Sequence, residues 1–211
     1  MRPAVVYFHG KGGNTSEADH FIDLFPESDV IGFDYRACTP WEANREFPLF
    51  FNHIQQEHPS VKIIANSIGA YFVMDSLSNQ QIDRAYFISP IVNMEKLITD
   101  MLLQINATEN SLRSRKTIPH PSGEVLSWDY LCYTRSRPVR WQAPTHILYG
   151  SKDYLTAMET ISEFAKQIHA TLTILEGGEH WFHTEKQLRF LDAWITRYES
   201  SNDFNAVDDI L

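Results

Sequence analysis

Short apolar runs alternate with longer amphipathic stretches along most of the chain. Ala4-Val5-Val6-Tyr7-Phe8 has no polar position, which predicts a strand covered on both faces. The next apolar positions, Phe21, Ile22, Leu24 and Phe25, fit a helix face that ends at Pro26, with Thr15 or Ser16 as its cap and Glu17 in its first turn. A second strand is predicted over 29–35. A second helix opens at Thr39-Pro40, carries Phe47, Leu49, Phe50, Phe51 and Ile54, and stops at Pro59. Pro48 lies inside it and is expected to kink or split it, because proline lacks the N–H the helix needs. Val61 to Asn66 reads as the third strand, followed by a helix to about Ser78. Arg84 to Ser89, closed by Pro90, reads as the fourth strand.

The rhythm then breaks. Leu97, Ile98, Met101, Leu102 and Ile105 keep helical spacing over 94–105, but 107–143 is irregular and proline-rich. A structureless loop of that length does not suit a compact domain. Residues 93–143 therefore read as an inserted cap. Strand and helix alternation resumes with strands over 145–149 and 171–175 and helices over 158–168 and 184–198. The polar, acidic stretch 199–211 reads as a flexible tail. The expectation is one α/β domain, residues 1–198, built on a doubly wound, mostly parallel six-stranded sheet flanked by helices. In such sheets a ligand sits outside the C-terminal strand ends.

Composition narrows the partners. A formal charge of −9 disfavours nucleic acid, which is bound chiefly by neutralising phosphates. No apolar run approaches the roughly 20 residues that cross a bilayer. The opening Met1-Arg2-Pro3 and the brief apolar run behind it lack the features of a secretory signal, so a cytoplasmic location is expected. Cys38 and Cys132 have neither metal nor redox spacing and read as reduced thiols, although the sequence leaves a disulfide open. No metal-ligand cluster is visible, so neither a metal nor a cofactor is expected.

The candidate chemistry lies at the predicted strand ends. Val61-Lys62-Ile63-Ile64 runs into Ala65-Asn66-Ser67-Ile68-Gly69, a strand, a sharp turn and a helix with Ser67 at the corner. A serine there is exposed off the sheet, and its neighbours two residues away must be small. The N–H of Ile68, at the helix start, faces where an oxyanion would form. The first strand ends in His9-Gly10-Lys11-Gly12-Gly13, which lacks the Gly-Lys-Ser/Thr of a Walker loop. Asp153 and His180 end the last two strands. Asp153 competes with a plain helix-capping role and with Asp34 as the acid. His180 competes with His183, which is expected in the first turn of the last helix. Trp128, Tyr130, Trp141 and Trp181 are either acyl-pocket walls or core. Arg113, Arg115, Lys116, Arg135, Arg137 and Arg140 make the cap basic, as a solvated face or an anion site.

Phe8-His9-Gly10-Lys11-Gly12-Gly13, Ala65-Asn66-Ser67-Ile68-Gly69, Tyr149-Gly150-Ser151-Lys152-Asp153 and Gly177-Gly178-Glu179-His180-Trp181 together resemble the α/β-hydrolase family over essentially the whole chain. The order serine, acid, histidine is the family's, while Ala65 replaces the first glycine of its G-x-S-x-G elbow. The family usually has two further strands ahead of the first one here, so the resemblance implies a trimmed member. It implies Ser67 as nucleophile, His180 as base and Asp153 as its orienting acid, with the Ile68 and Lys11 N–H groups as oxyanion hole. His9 and Trp181 become candidate substrate contacts. The implied reaction is hydrolysis of a small-molecule carboxylic ester, or less expectedly a thioester or amide, through an acyl-enzyme. Asn66-Ser67-Ile68-Gly69 also resembles the elbow of carbon–carbon bond hydrolases. A non-catalytic binding protein on the same fold is the third reading.

Overall fold

The computed structural model describes residues 1–200. The main sheet contains β1 (Ala4–Phe8), β2 (Asp29–Gly32), β3 (Val61–Asn66) and β4 (Arg84–Ile88), with β7 (Thr145–Gly150) and β8 (Thr171–Leu175) after the intervening hairpin strands β5 (Thr117–Pro119) and β6 (Val125–Ser127). Its order is β2-β1-β3-β4-β7-β8, and every neighbouring pair is parallel. The doubly wound six-stranded sheet is therefore the observed architecture. The chain moves outward from β1 to β2 and then returns to place β3 on the other side of β1. The crevice where ligands gather in such folds thus opens between the ends of β1 and β3.

Alternate side chains of each strand enter different cores, as the two-residue period of a strand requires. Val6, Phe8, Ile63, Ala65, Phe87 and Ile147 face a layer that includes helices α1 (Pro40–Glu57), α2 (Ile68–Ser76), α3 (Met94–Gln104) and α6 (Met158–Gln167). Val5, Tyr7, Ile64, Tyr86 and Leu148 face the 3-10 helix Thr15–Leu24 and helix α7 (Glu185–Ser200). Among the described residues no helix is long and apolar enough to cross a membrane.

Several local expectations are corrected. The first helix is 3-10 rather than α and is capped by Asn14, not Thr15 or Ser16. Asn14 Oδ1 accepts from Ser16 N at 2.9 Å while Glu17 Oε1 accepts from Asn14 N at 3.1 Å, a reciprocal pair that outcompetes a hydroxyl cap. The second strand stops at Gly32, because Phe33 and Tyr35 turn into an aromatic cluster with Phe8 and Phe47. Helix α1 runs through Pro48 without a break. Phe47 and Phe51, fully buried on either side, and Phe50, stacked 3.9 Å from Phe33, hold it against a cost of about 3 kcal/mol.

Residues 107–143 are not irregular. They hold α4 (Glu109–Arg115), the antiparallel β5–β6 hairpin and α5 (Trp128–Ser136). Thr108 and Ser127 cap these two helices through side-chain oxygens, a signal present in the sequence but masked by the prolines. Leu112, Ile118, Leu126 and Leu131 from this segment join the α1–α2 core. Finally, α7 extends past Tyr198, so Glu199 and Ser200 belong to it rather than to a tail. Glu199 is held by Lys62 Nζ at 2.5 Å and by the Tyr86 hydroxyl at 2.6 Å. The rest of the expected tail, 201–211, lies outside the described residues.

Candidate active site

Ser67 sits between the last residue of β3 and the first of α2 with φ 51° and ψ −119°, a left-handed conformation unfavourable for any residue with a Cβ. The neighbouring backbone holds it there. Ser67 N donates to Ile88 O at 3.0 Å, and Ser67 O accepts from Ile91 N at 3.2 Å. Two residues beyond Ser67, α2 approaches the end of β1 very closely. A Cβ at Gly69 would stand 2.4 Å from the His9 carbonyl oxygen, so only glycine fits.

The three residues placed at separate strand ends by sequence come together in one hydrogen-bonded line. His180 Nε2 lies 2.8 Å from Ser67 Oγ, and His180 Nδ1 lies 2.7 Å from Asp153 Oδ2. The His180 and Asp153 side chains have no solvent exposure. Asp153 Oδ1 accepts from the N–H groups of Leu155 and Thr156, at 2.8 and 3.2 Å. One oxygen thus holds the turn ahead of α6, whose N-cap is Ala157 rather than Asp153, while the other faces the base. Such an arrangement fixes the imidazole with its proton on Nδ1 and its lone pair toward the serine. Asp34 and His183 are both exposed and outside this line. His183 precedes α7 rather than standing in its first turn, and its Nδ1 is 2.6 Å from Trp181 O.

The glycine-rich loop lies against the nucleophile, since a Cβ at Gly10 would be 3.3 Å from Ser67 Cβ. Gly13 N donates to Gly10 O at 3.1 Å, closing a turn whose third residue, Gly12, has φ 76°. Lys11 is the second residue of that turn, so its N–H is not used to close it. Ile68 begins α2, and its N–H has no acceptor within the helix. Neither the turn nor the helix engages these two backbone N–H groups.

Other side chains brace this loop. Tyr35 stacks on the His9 ring at 4.1 Å and donates its hydroxyl to His9 O at 2.6 Å. Tyr7 donates to Glu17 Oε2 at 2.5 Å, and burial pushes its phenol well above the usual range. His9 is thereby held in place, and no hydrogen bond links it to Ser67 or His180 among the described residues. The Lys11 ammonium pairs with Glu124 at 2.5 Å, which ties the β5–β6 hairpin to the loop.

Three of the basic residues of the 107–143 segment serve its own packing and attachment. Arg135 bridges Glu95 and Glu109 at 2.7 and 2.6 Å, Arg137 faces the buried Asp75, and Arg113 lies over the Trp128 ring. Tyr133 donates to Asp75 Oδ2 at 2.9 Å, and burial followed by that carboxylate pushes its phenol up to about 12. Trp141 is core, the second of the two readings, and donates its Nε1–H to Thr145 Oγ1. Trp181 is 45% exposed beside His180. Tyr154 was not singled out by sequence, yet its ring centre is 6.3 Å from that of His180. Its position directly after Asp153 was the available signal. Cys38 and Cys132 are free and exposed, so the disulfide left open by sequence is absent. Among the described residues no group of three or more His, Cys, Asp or Glu could hold a metal.

No protein-family model matches the sequence, and no curated protein matches it. Solved structures do match. Est1E from Butyrivibrio proteoclasticus superposes with a TM-score of 0.77 at 16% identity, over 94% of this chain and 87% of that one. Alpha/beta hydrolase domain-containing protein 10 from mouse gives 0.74 at 11% identity, over 93% and 89%. A lipase-esterase related protein from Clostridium acetobutylicum gives 0.63 at 14% identity, over 93% and 94%. At these identities the likeness is one of architecture. Together with the strand order and the elbow between β3 and α2, it establishes that this chain has the α/β-hydrolase fold.

Proposed function

We propose that the protein is a serine hydrolase that cleaves a small carboxylic ester through an acyl-enzyme on Ser67. The observation that carries this reading is the unbroken line from Asp153 through His180 to Ser67, at 2.7 and 2.8 Å. A serine hydroxyl is a weak nucleophile until a base removes its proton. His180 Nε2 accepts that proton as Ser67 Oγ attacks the carbonyl carbon. The carbonyl oxygen becomes an oxyanion and is received by the N–H groups of Ile68 and Lys11, each worth on the order of 3 kcal/mol to the transition state. Asp153 stabilises the imidazolium meanwhile. Collapse breaks the bond to the alcohol, whose oxygen takes the proton from Nε2. Water then enters on the same side, gives its proton to Nε2, and releases the acid while Ser67 regains its own.

The names of two structural neighbours agree with this class, a lipase-esterase related protein and a thioesterase domain. A thioester fits the same residues. The test is rapid mixing with p-nitrophenyl esters of graded acyl length. The reading expects a burst of about one p-nitrophenolate per Ser67, lost in Ser67→Ala. Turnover that survives in Ser67→Ala would contradict the acyl-enzyme. Complete inactivity of folded native protein toward every ester and thioester would favour a binding role.

A further inference from the structure

Two aromatic side chains stand at the solvent side of the base. Tyr154 is 71% exposed and Trp181 45% exposed, whereas His180 between their loops is 1% exposed. Their ring centres lie 6.3 and 5.5 Å from the imidazole centre. They come from different strand ends, Tyr154 directly after the acid and Trp181 directly after the base. A single exposed aromatic residue needs no explanation, because much of any protein surface is apolar. Two exposed rings that each stand beside the same buried imidazole occupy a position with chemical meaning.

That meaning follows from the proton path, and so rests on the hydrolase reading above. The base must hand its proton to the leaving oxygen, which therefore sits about 3 Å from His180 Nε2. The carbonyl oxygen is fixed elsewhere, at the N–H groups of Lys11 and Ile68. Hence the group behind the leaving oxygen emerges along the imidazole side of the site, within reach of both rings. Large aromatic faces gain free energy by covering flat apolar surface, and they do so at little cost in side-chain freedom.

We propose that Tyr154 and Trp181 form the leaving-group subsite and select esters whose alcohol part presents a broad, flat apolar face, either an aryl ring or a pyranose. The acyl group stays constant in the test. Native protein, Tyr154→Leu, Trp181→Ala and Trp181→Phe are compared on ethyl acetate, phenyl acetate and an acetylated methyl glucopyranoside. The readout is the ratio of native to variant kcat/KM for each ester, which cancels the intrinsic reactivity of the leaving group. For Tyr154→Leu and Trp181→Ala that ratio is expected to be at least tenfold larger for the aryl or the pyranosyl ester than for the ethyl ester. Trp181→Phe restores most of the difference. Whichever bulky arm moves identifies the ring type. Phenol or methyl glucoside should also inhibit ethyl acetate turnover by the native protein about tenfold more tightly than by the variants. Equal ratios across all three esters, in native protein that is active and labelled by a fluorophosphonate, would overturn the subsite alone. Native protein that is neither labelled nor active on any ester would overturn the hydrolase reading and the subsite with it.

Discussion

Replacing Asp153 by Asn changes one atom and is expected to disable the base without disturbing the fold. Asp153 Oδ1 accepts from two backbone N–H groups, of Leu155 and Thr156. In Asp153→Asn the amide oxygen must keep that place, since an NH2 group there would face two donors. The NH2 then occupies the Oδ2 position, 2.7 Å from His180 Nδ1. Being a donor, it forces Nδ1 to accept, which moves the imidazole proton to Nε2, 2.8 Å from Ser67 Oγ. A protonated Nε2 cannot take the serine proton. Wrong-tautomer substitutions of this kind in other serine hydrolases lower kcat by about 10⁴, equivalent to roughly 5 kcal/mol of activation free energy. The backbone bonds and the shape of the residue are retained, so the melting temperature should stay within a few degrees. Steady-state kinetics on a p-nitrophenyl ester with calorimetry on the same sample checks both halves. A kcat within tenfold of native in a well-folded Asp153→Asn would refute the assigned role of the acid.

Other outcomes follow from the same geometry. Gly69→Ala sets a Cβ 2.4 Å from the His9 carbonyl, a backbone atom that cannot swing away, so the elbow or the loop must shift. The expected cost is about 1–3 kcal/mol, read as a lowered denaturation midpoint, together with slower acylation. Glu199→Ala leaves Lys62, Arg84 and the Tyr86 hydroxyl without the carboxylate they share, and denaturant unfolding should show a loss of about 1–3 kcal/mol. The hydrogen bond from Arg135 holds the Glu109 carboxyl below its ordinary value. Its contribution is therefore complete above the ordinary carboxylate range and is lost as pH falls through the lowered folded value. The protection factors of the amides in 109–136, taken against the intrinsic exchange rate at each pH, are expected to fall in that acid window, and Arg135→Met should remove that fall.

Much of the candidate site was legible in the sequence because each candidate residue lies at or within a few residues of the end of a strand read from its apolar pattern. Ser67, Asp153 and His180 could be placed at a common edge before any contact was known, since parallel strands present all their C-terminal ends on one side. What escaped depended on contacts distant in sequence. The span of α1 through Pro48 is set by the packing of Phe47, Phe50 and Phe51 against β1 and the Phe33 turn, which local propensity does not contain. The order within 107–143 rests on Leu112, Ile118, Leu126 and Leu131 entering a core built by other elements. Glu199 reads as tail because its partners, Lys62, Arg84 and Tyr86, lie on two distant strands. Tyr154 went unnoticed because its place directly after Asp153 gains meaning only from its proximity to His180.

The most direct test of the central claim is the mass of the intact protein after exposure to a fluorophosphonate, followed by peptide mapping. The account predicts one adduct, on the peptide containing Ser67, absent from Ser67→Ala and strongly slowed in His180→Gln. An unmodified mass for folded native protein, or an adduct mapped to another residue, would contradict it.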